Sequence, residues 1–454
     1  MKWNLIFKSL PAIIVLFCSF FFQAKGQQVF TKEEAVEYAI DNSTEMMNAR
    51  LDRRIASQQV RETRAVGLPQ LDASLSMDYF ADRPVQLFPA DEFPFLPPGT
   101  DPDEEFEVSF GRDYDLSATA TLNQLIFDGQ YFVALQASRE FQEMRDKEVE
   151  ETERQIRENI SKAYLQVVLA DQTKDILHEN IEHLETTLEE TEALYENGFA
   201  EKLDVDRIKL RLNQVKTSHR DAERQQKNAL ERLKVQMGFP VEEEIATEDK
   251  DLETYKDETD IQIRPVEEVF QNRIEREVLK SRERVTALDR RRYRAGYLPS
   301  LSGFARHTQN AQRDQFDFFD QDENWYSSTT FGFTLNIPIF DGFEKNALIN
   351  QKELEIEQIQ NQRHLLEQSI VMEMEEAVND YQSASEQLEN QRENLELAEK
   401  IYDQTMERYR EGIGESRDVT EAHTDMNQAQ MDYLSAMLDL LIAEIDYEIA
   451  TGTF

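Results

Sequence analysis

The chain is nearly without cysteine: Cys18 is the only one in 454 residues. That excludes a disulfide framework and any paired-cysteine metal site. Glycine and proline are also scarce, at 14 and 12 residues, which argues against a turn-rich all-β domain and for long uninterrupted helices. Basic residues are outnumbered, 50 against 91 acidic, for a formal net charge of −41. Nucleic acid is therefore not an expected partner, because a polyphosphate is bound by positive charge. No stretch reaches 18 consecutive apolar residues, so a helical membrane span is not expected. The six histidines are scattered and no HExxH motif occurs. His178 and His183 are five apart and lie on different helix faces. No catalytic residue, cofactor or metal site is assigned, and an enzyme is not expected.

Residues 1–26 read as a cleaved secretory signal. Lys2 and Lys8 precede the apolar core "LPAIIVLFCSFFF", and Ala24 and Gly26 are the small residues before a cut at Gln27. An uncleaved membrane anchor is the competing reading. Cys18 follows Phe17, which is too large for a lipoprotein site. An exported chain without a helical span is soluble, or it enters a membrane as a β-barrel.

The remainder is present twice. "YENGFAEKLDV" at Tyr195–Val205 returns as "YREGIGESRDV" at Tyr409–Val419, a step of 214; "IFDG" at Ile126–Gly129 returns at Ile339–Gly342, a step of 213. "LPQL" at Leu68–Leu71 returns as "LPSL" at Leu298–Leu301. The marks keep their order, so residues 27–240 are read as a first structural repeat and 265–454 as a second. Residues 241–264, acidic and irregular, are read as a linker or lateral insertion.

Two segments, Tyr131–Tyr195 and Phe343–Tyr409, contain no proline and no glycine. As helices they would each be roughly 100 Å long, a length that calls for coiled-coil partners. Ile160, Val167, Leu177, Leu184, Thr191 and Tyr195 fall on a seam with three–four spacing, as do Leu388, Leu395, Tyr402 and Tyr409. Shorter helices over Thr31–Val66 with Glu201–Met237, and Val266–Ala295 with Glu415–Ala450, would stack end to end to match the long ones. That makes four pillars per chain. Gly198 and Gly412 mark sharp turns between helices, and Asp204 and Asp418 lie in the first turns that follow, where carboxylates favour the helix dipole. Taken alone, such tips are also ordinary hairpin features.

Between LPxL and FDG the period becomes two. "LDASLSMDY", "DLSATATLNQLIF", "LPSLSGFARH" and "STTFGFTLNIPIF" set one apolar face against one small polar face, with aromatics at their ends. This fits outer-membrane strands, although the edge of a soluble sandwich would share the alternation. Four strands cannot close a membrane barrel, which needs about eight, and an open edge in lipid is costly. Chains must then combine, and three would supply twelve strands and twelve pillars. The Pro-rich acidic segment Ala81–Ser109 and the shorter Gln309–Asn324 read as outer loops.

With its duplicated LPxL, FDG and Y-x-x-G-x-x-x-x-x-D-V marks, nearly the whole mature chain resembles the TolC-like outer-membrane efflux proteins. The resemblance implies a mostly α fold with a small β part: a long α-helical coiled-coil barrel in the periplasm, continuous with an outer-membrane β-barrel of four strands per chain and twelve in a homotrimer. It implies a passive exit duct of a tripartite efflux or type I secretion system, partnered by outer-membrane lipid, a periplasmic adaptor and an inner-membrane pump. It also implies adaptor contacts at Gly198, Phe199, Ala200, Gly412, Ile413 and Gly414. The family's gate tyrosine and its aspartate partner match Tyr409 and Asp204. Gly414 stands where the family has an arginine, and Arg417 is near but unaligned. The family's acidic rings match Asp418 and Glu421. A periplasmic coiled-coil adaptor or scaffold without a pore is the rival class; it would need one hairpin flanked by β-rich domains.

Overall fold

The computed structural model describes residues 28–89, 105–256, 265–320 and 324–453. The signal segment and the middle of the Ala81–Ser109 loop lie outside the described residues. The elements run β1 (Gln28–Phe30), α1 (Lys32–Asn42), α2 (Thr44–Val66), β2 (Gln70–Tyr79), β3 (Val85–Pro89), β4 (Glu105–Ser109), β5 (Tyr114–Phe127), α3 (Gly129–Glu196), α4 (Lys202–Met237), β6 (Ile245–Thr247), α5 (Val266–Asn272), α6 (Ile274–Ala295), β7 (Ser300–Arg313), β8 (Tyr326–Asn336), α7 (Glu344–Arg410) and α8 (Ser416–Thr451). The fold is mostly helical, and its two halves repeat.

The 68-residue α3 carries α2 and α4 along its length, and the 67-residue α7 carries α6 and α8. In each half the two shorter helices meet end to end. The predicted helix over Thr31–Val66 is broken at Ser43, which ends α1 and caps α2 by accepting from the Met46 amide at 3.3 Å. The break makes room for the end of α4. Gly238 closes α4 in the left-handed region at φ 72°, and a Cβ there would lie 2.3 Å from the Asn42 carbonyl oxygen. The second half copies this arrangement: α5 and α6 divide at Arg273, and Gly452 closes α8 beside Asn272. Gly238→Ala combines left-handed strain of about 1–2 kcal/mol with overpacking of about 1–3 kcal/mol. The expected result is a clear fall in melting temperature, whereas Gly198→Ala, whose Cβ would meet nothing within 4 Å, shows the strain alone.

Four strands form one antiparallel sheet in the order β2-β5-β7-β8. Each strand is joined to a pillar: β2 follows α2, β5 leads into α3, β7 follows α6 and β8 precedes α7. Sheet order and pillar order therefore agree, and both leave two outer sides. β2 and β8 pair on one side only among the described residues. One sheet face is apolar and open: Leu71 is 73% exposed, Leu75 71%, Phe331 77% and Phe333 77%. Leu71, Leu122, Ala305 and Phe331 share one row by register. On the other face Thr119 and Thr308 join hydroxyls at 3.1 Å. β7 continues to Arg313, beyond the predicted loop start at Gln309, because β5 begins at Tyr114 and pairs through to Arg313. The described ends of the Ala81–Ser109 segment, β3 and β4, pair as a two-stranded ribbon.

The main core sits at mid-height. β1 pairs in parallel with β6, and a 3-10 turn over Leu252–Tyr255 follows. Phe30, Tyr164, Met237, Leu252 and Leu441 pack there in one cluster. The Tyr164 hydroxyl donates to the Phe30 carbonyl at 2.8 Å, and burial pushes its pKa up to about 12. Residues read as a linker thus strap the two halves, since Tyr433 on α8 also donates to Glu253 at 2.6 Å. Below this belt the cores are thin, as the small and polar seam residues require: Leu177 and Leu184 meet Leu212 and Val215, and Met406 and Tyr409 meet Val419. Among the described residues no helix is long and apolar enough to cross a membrane, and no cluster of three metal-ligating side chains occurs.

Candidate functional site: the paired hairpin tips

The two tips are near copies because the same local chemistry builds both. α3 and α7 each end on a left-handed glycine, Gly198 and Gly412, both at φ 77°. In each, the next amide turns back to the helix: Phe199 to the Leu194 carbonyl at 2.8 Å, and Ile413 to the Arg408 carbonyl at 3.0 Å. That closure satisfies carbonyls a helix end leaves free. Phe199 is 83% exposed and Ile413 65%, so each hairpin presents one bare apolar side chain at its apex. Ala200 and Gly414 are half-buried behind them.

Gly414 has a steric reason. A Cβ there would lie 2.9 Å from the Tyr409 amide nitrogen and 3.1 Å from its Cα. No side chain fits unless the turn moves off the end of α7. Arg417 does not replace the family's arginine. It is exposed and lies 3.3 Å from Asp418, its own neighbour. Gly414→Arg is expected to displace the Gly412 tip and weaken the Tyr409–Thr191 contact, read as a greater distance between spin labels on the two tips with little change in melting temperature.

The hairpins are joined through side chains more than two hundred positions apart. Tyr409 is buried, and its hydroxyl meets Thr191 Oγ1 at 3.1 Å. Thr191 already donates to the Thr187 carbonyl at 2.8 Å, so the phenol is the donor. Burial pushes the Tyr409 pKa up; the Thr191 contact opposes this, and the Asp204 and Glu190 carboxylates add to it. Asp204 does not touch the phenol. One of its oxygens accepts from the Glu201 amide at 2.9 Å and caps α4, and the other accepts from the Ser416 hydroxyl. Arg207 reaches the same hydroxyl at 3.5 Å. Outside these contacts, Arg410 pairs with Glu190 at 3.0 Å.

Asp418 occupies the position in α8 that Asp204 occupies in α4, yet its surroundings differ. Asp418 and Glu421 are exposed one turn apart, on the side of α8 away from buried Val419 and Ala422. Aspartates recur along this helix at every seventh residue: Asp418, Asp425, Asp432, Asp439 and Asp446. The last pairs with Lys162. Sequence reading missed Ser416 and Arg207, which carry no local signal. Thr191 had one, its place on the heptad seam.

An alternating, outward-apolar sheet continuous with long helical hairpins defines a class, the outer-membrane channel subunit with a helical shaft. The sequence profile of the outer membrane efflux proteins matches residues 35–238 and 291–453, and the chain belongs to that family. It is an efflux channel of the outer membrane. Solved structures with the same fold include the open state of the MtrE outer membrane channel of Neisseria gonorrhoeae, with a TM-score of 0.71, 15% identity, and coverage of 93% of this chain and 88% of that one. The CmeC outer membrane channel of Campylobacter jejuni gives 0.69 and 17%, covering 93% and 86%. The outer membrane protein VceC of Vibrio cholerae gives 0.66 and 16%, covering 93% and 96%. No curated protein matches the chain.

Proposed function

We propose that three copies of this chain form one exit duct, closed at its inner end by the paired tips, and that an adaptor and an inner-membrane pump load it. The observation that carries this is the sheet whose two outer strands each pair on one side only among the described residues, in register with four pillars. Lipid does not tolerate unpaired backbone, so copies must supply one another's edges. Two copies would give about eight strands, whose interior side chains fill. Three give a twelve-stranded ring with an open passage. Cross-linking of the purified protein, with conductance in a planar bilayer, tests both statements; a non-conducting dimer or monomer overturns them.

The residues divide by role on this reading. Phe199 and Ile413, with Ala200, Gly198, Gly412 and Gly414 shaping the turns, meet the adaptor. Tyr409 and Asp204 hold the inner hairpin to the outer one, through Thr191 and Ser416. Asp418 and Glu421 from three copies ring the entrance. Six crowded carboxylates attract cations. Asp418→Asn with Glu421→Gln is expected to bring cation selectivity close to none and to weaken block by multivalent cations on the order of tenfold. Unchanged selectivity would remove the ring from the account. A pore-free scaffold gains no support from an apolar sheet face open over its whole length.

A further inference from the structure

His423 lies on α8 seven residues beyond Ser416, on the same face and two turns farther from the tip. It is 0% exposed. Its imidazole sits where the two hairpins join. The Tyr402 ring on α7 is edge-on with centroids 5.5 Å apart, and Arg211 on α4 places Nε 3.5 Å from Nδ1. Nδ1 therefore accepts and the neutral ring carries its proton on Nε2. That Nε2 has no hydrogen-bond partner among the described residues, although buried polar atoms are nearly always paired. The charges acting on the ring are Arg211 and, on α3, His183. Both are cations when charged. Glu421 and Asp425 on its own helix are exposed, away from the packed face.

We propose that His423 is an acid-triggered release for the tunnel mouth: a proton added at this joint forces α8 away from Arg211 and loosens the Ser416–Asp204 contact two turns below. A second cation beside a guanidinium, with an orphaned N–H in a buried site, has no stable place there. Burial first, then Arg211 and His183, hold its pKa down to about 4, whereas an imidazole in water titrates near 6.5. The closed arrangement thus binds the proton more weakly than an opened one. Closure is fully favoured above about pH 6.5 and is lost as the pH falls towards 4, by a factor of up to about 300 per protomer.

The inference rests on the tip contacts being the closed mouth, and the test separates the two. The sole cysteine lies at position 18, so spin labels at Glu196→Cys and Glu411→Cys report tip separation in the full-length channel. Single-channel recording reports opening. Between about pH 7.5 and 4.5 the labels are expected to part and the open fraction to rise at least tenfold. His423→Gln should abolish both changes, and Arg211→Gln, which removes the cation that disfavours the protonated ring in the closed arrangement, should shrink the acid-induced rise. An acid response that survives His423→Gln, or labels that stay still, overturns the proposal. If His423→Gln does not assemble, the Arg211→Gln response decides, and an undiminished acid rise overturns the proposal. Labels that part without a change in conductance support the release and overturn the gate assignment instead.

Discussion

Proline at Ser74 or Leu75 is expected to strip the assembled channel from the outer membrane. β2 pairs with β5 along its full length and presents its other edge unpaired among the described residues. Neighbouring residues point their amides to opposite edges, so one substitution removes a bond to β5 and the other removes an outward donor. The second is the informative one, since it spares the chain's own sheet. Each unsatisfied group in lipid costs several kcal/mol, and in the proposed trimer the loss occurs at three seams together. Assembled protein in the outer-membrane fraction should fall at least tenfold, on the order expected from a single seam. Val85→Pro, in the ribbon beyond the sheet, should leave assembly in place. If both β2 variants assemble normally, the sheet is not completed by a second copy.

Tyr409→Phe combined with Ser416→Ala should open the mouth. The first removes a buried hydroxyl pair with Thr191, worth about 0.5–1.5 kcal/mol. The second removes the donor to the Asp204 carboxylate, a charge-assisted bond worth about 1.5–3 kcal/mol. Asp204 keeps its cap on α4 through the Glu201 amide, so helix stability should hardly change. Three protomers multiply the loss. The open fraction in a planar bilayer is expected to rise at least tenfold, on the order of one such bond, with the melting temperature nearly constant. Each single variant should give a part of the effect. The Tyr409 contribution should be flat through neutral pH, because burial holds the phenol above its ordinary range. A double variant that stays as closed as the parent would show that these contacts do not shut the channel.

Much of the fold was legible in the residues. The seam at Leu177, Leu184, Thr191, Leu388 and Tyr409 is buried or half-buried as its spacing requires, but Tyr195, assigned to the same seam, is 44% exposed because it lies in the last turn of α3, at the open tip. The alternating segments are the four sheet strands, and Gly198 and Gly412 make the turns they announce. The breaks at Ser43 and Arg273 were not legible. They exist to receive the ends of α4 and α8, and nothing near either residue encodes a helix end that arrives from almost two hundred positions away. The pairing of Tyr409 with Thr191 and of Asp204 with Ser416 was hidden for the same reason.

Periodicity, capping and left-handed glycines act within a few residues, so the sequence by itself determined the duplication, the hairpins, the strands and the exposed apices. Which side chain of one hairpin meets which of the other depends on how two long rods are rotated and shifted against each other. Small differences in a thin, half-polar seam decide that rotation. Only the tertiary structure could place Ser416 on Asp204, close Gly414 against the backbone of α7, and bury His423 beside Arg211.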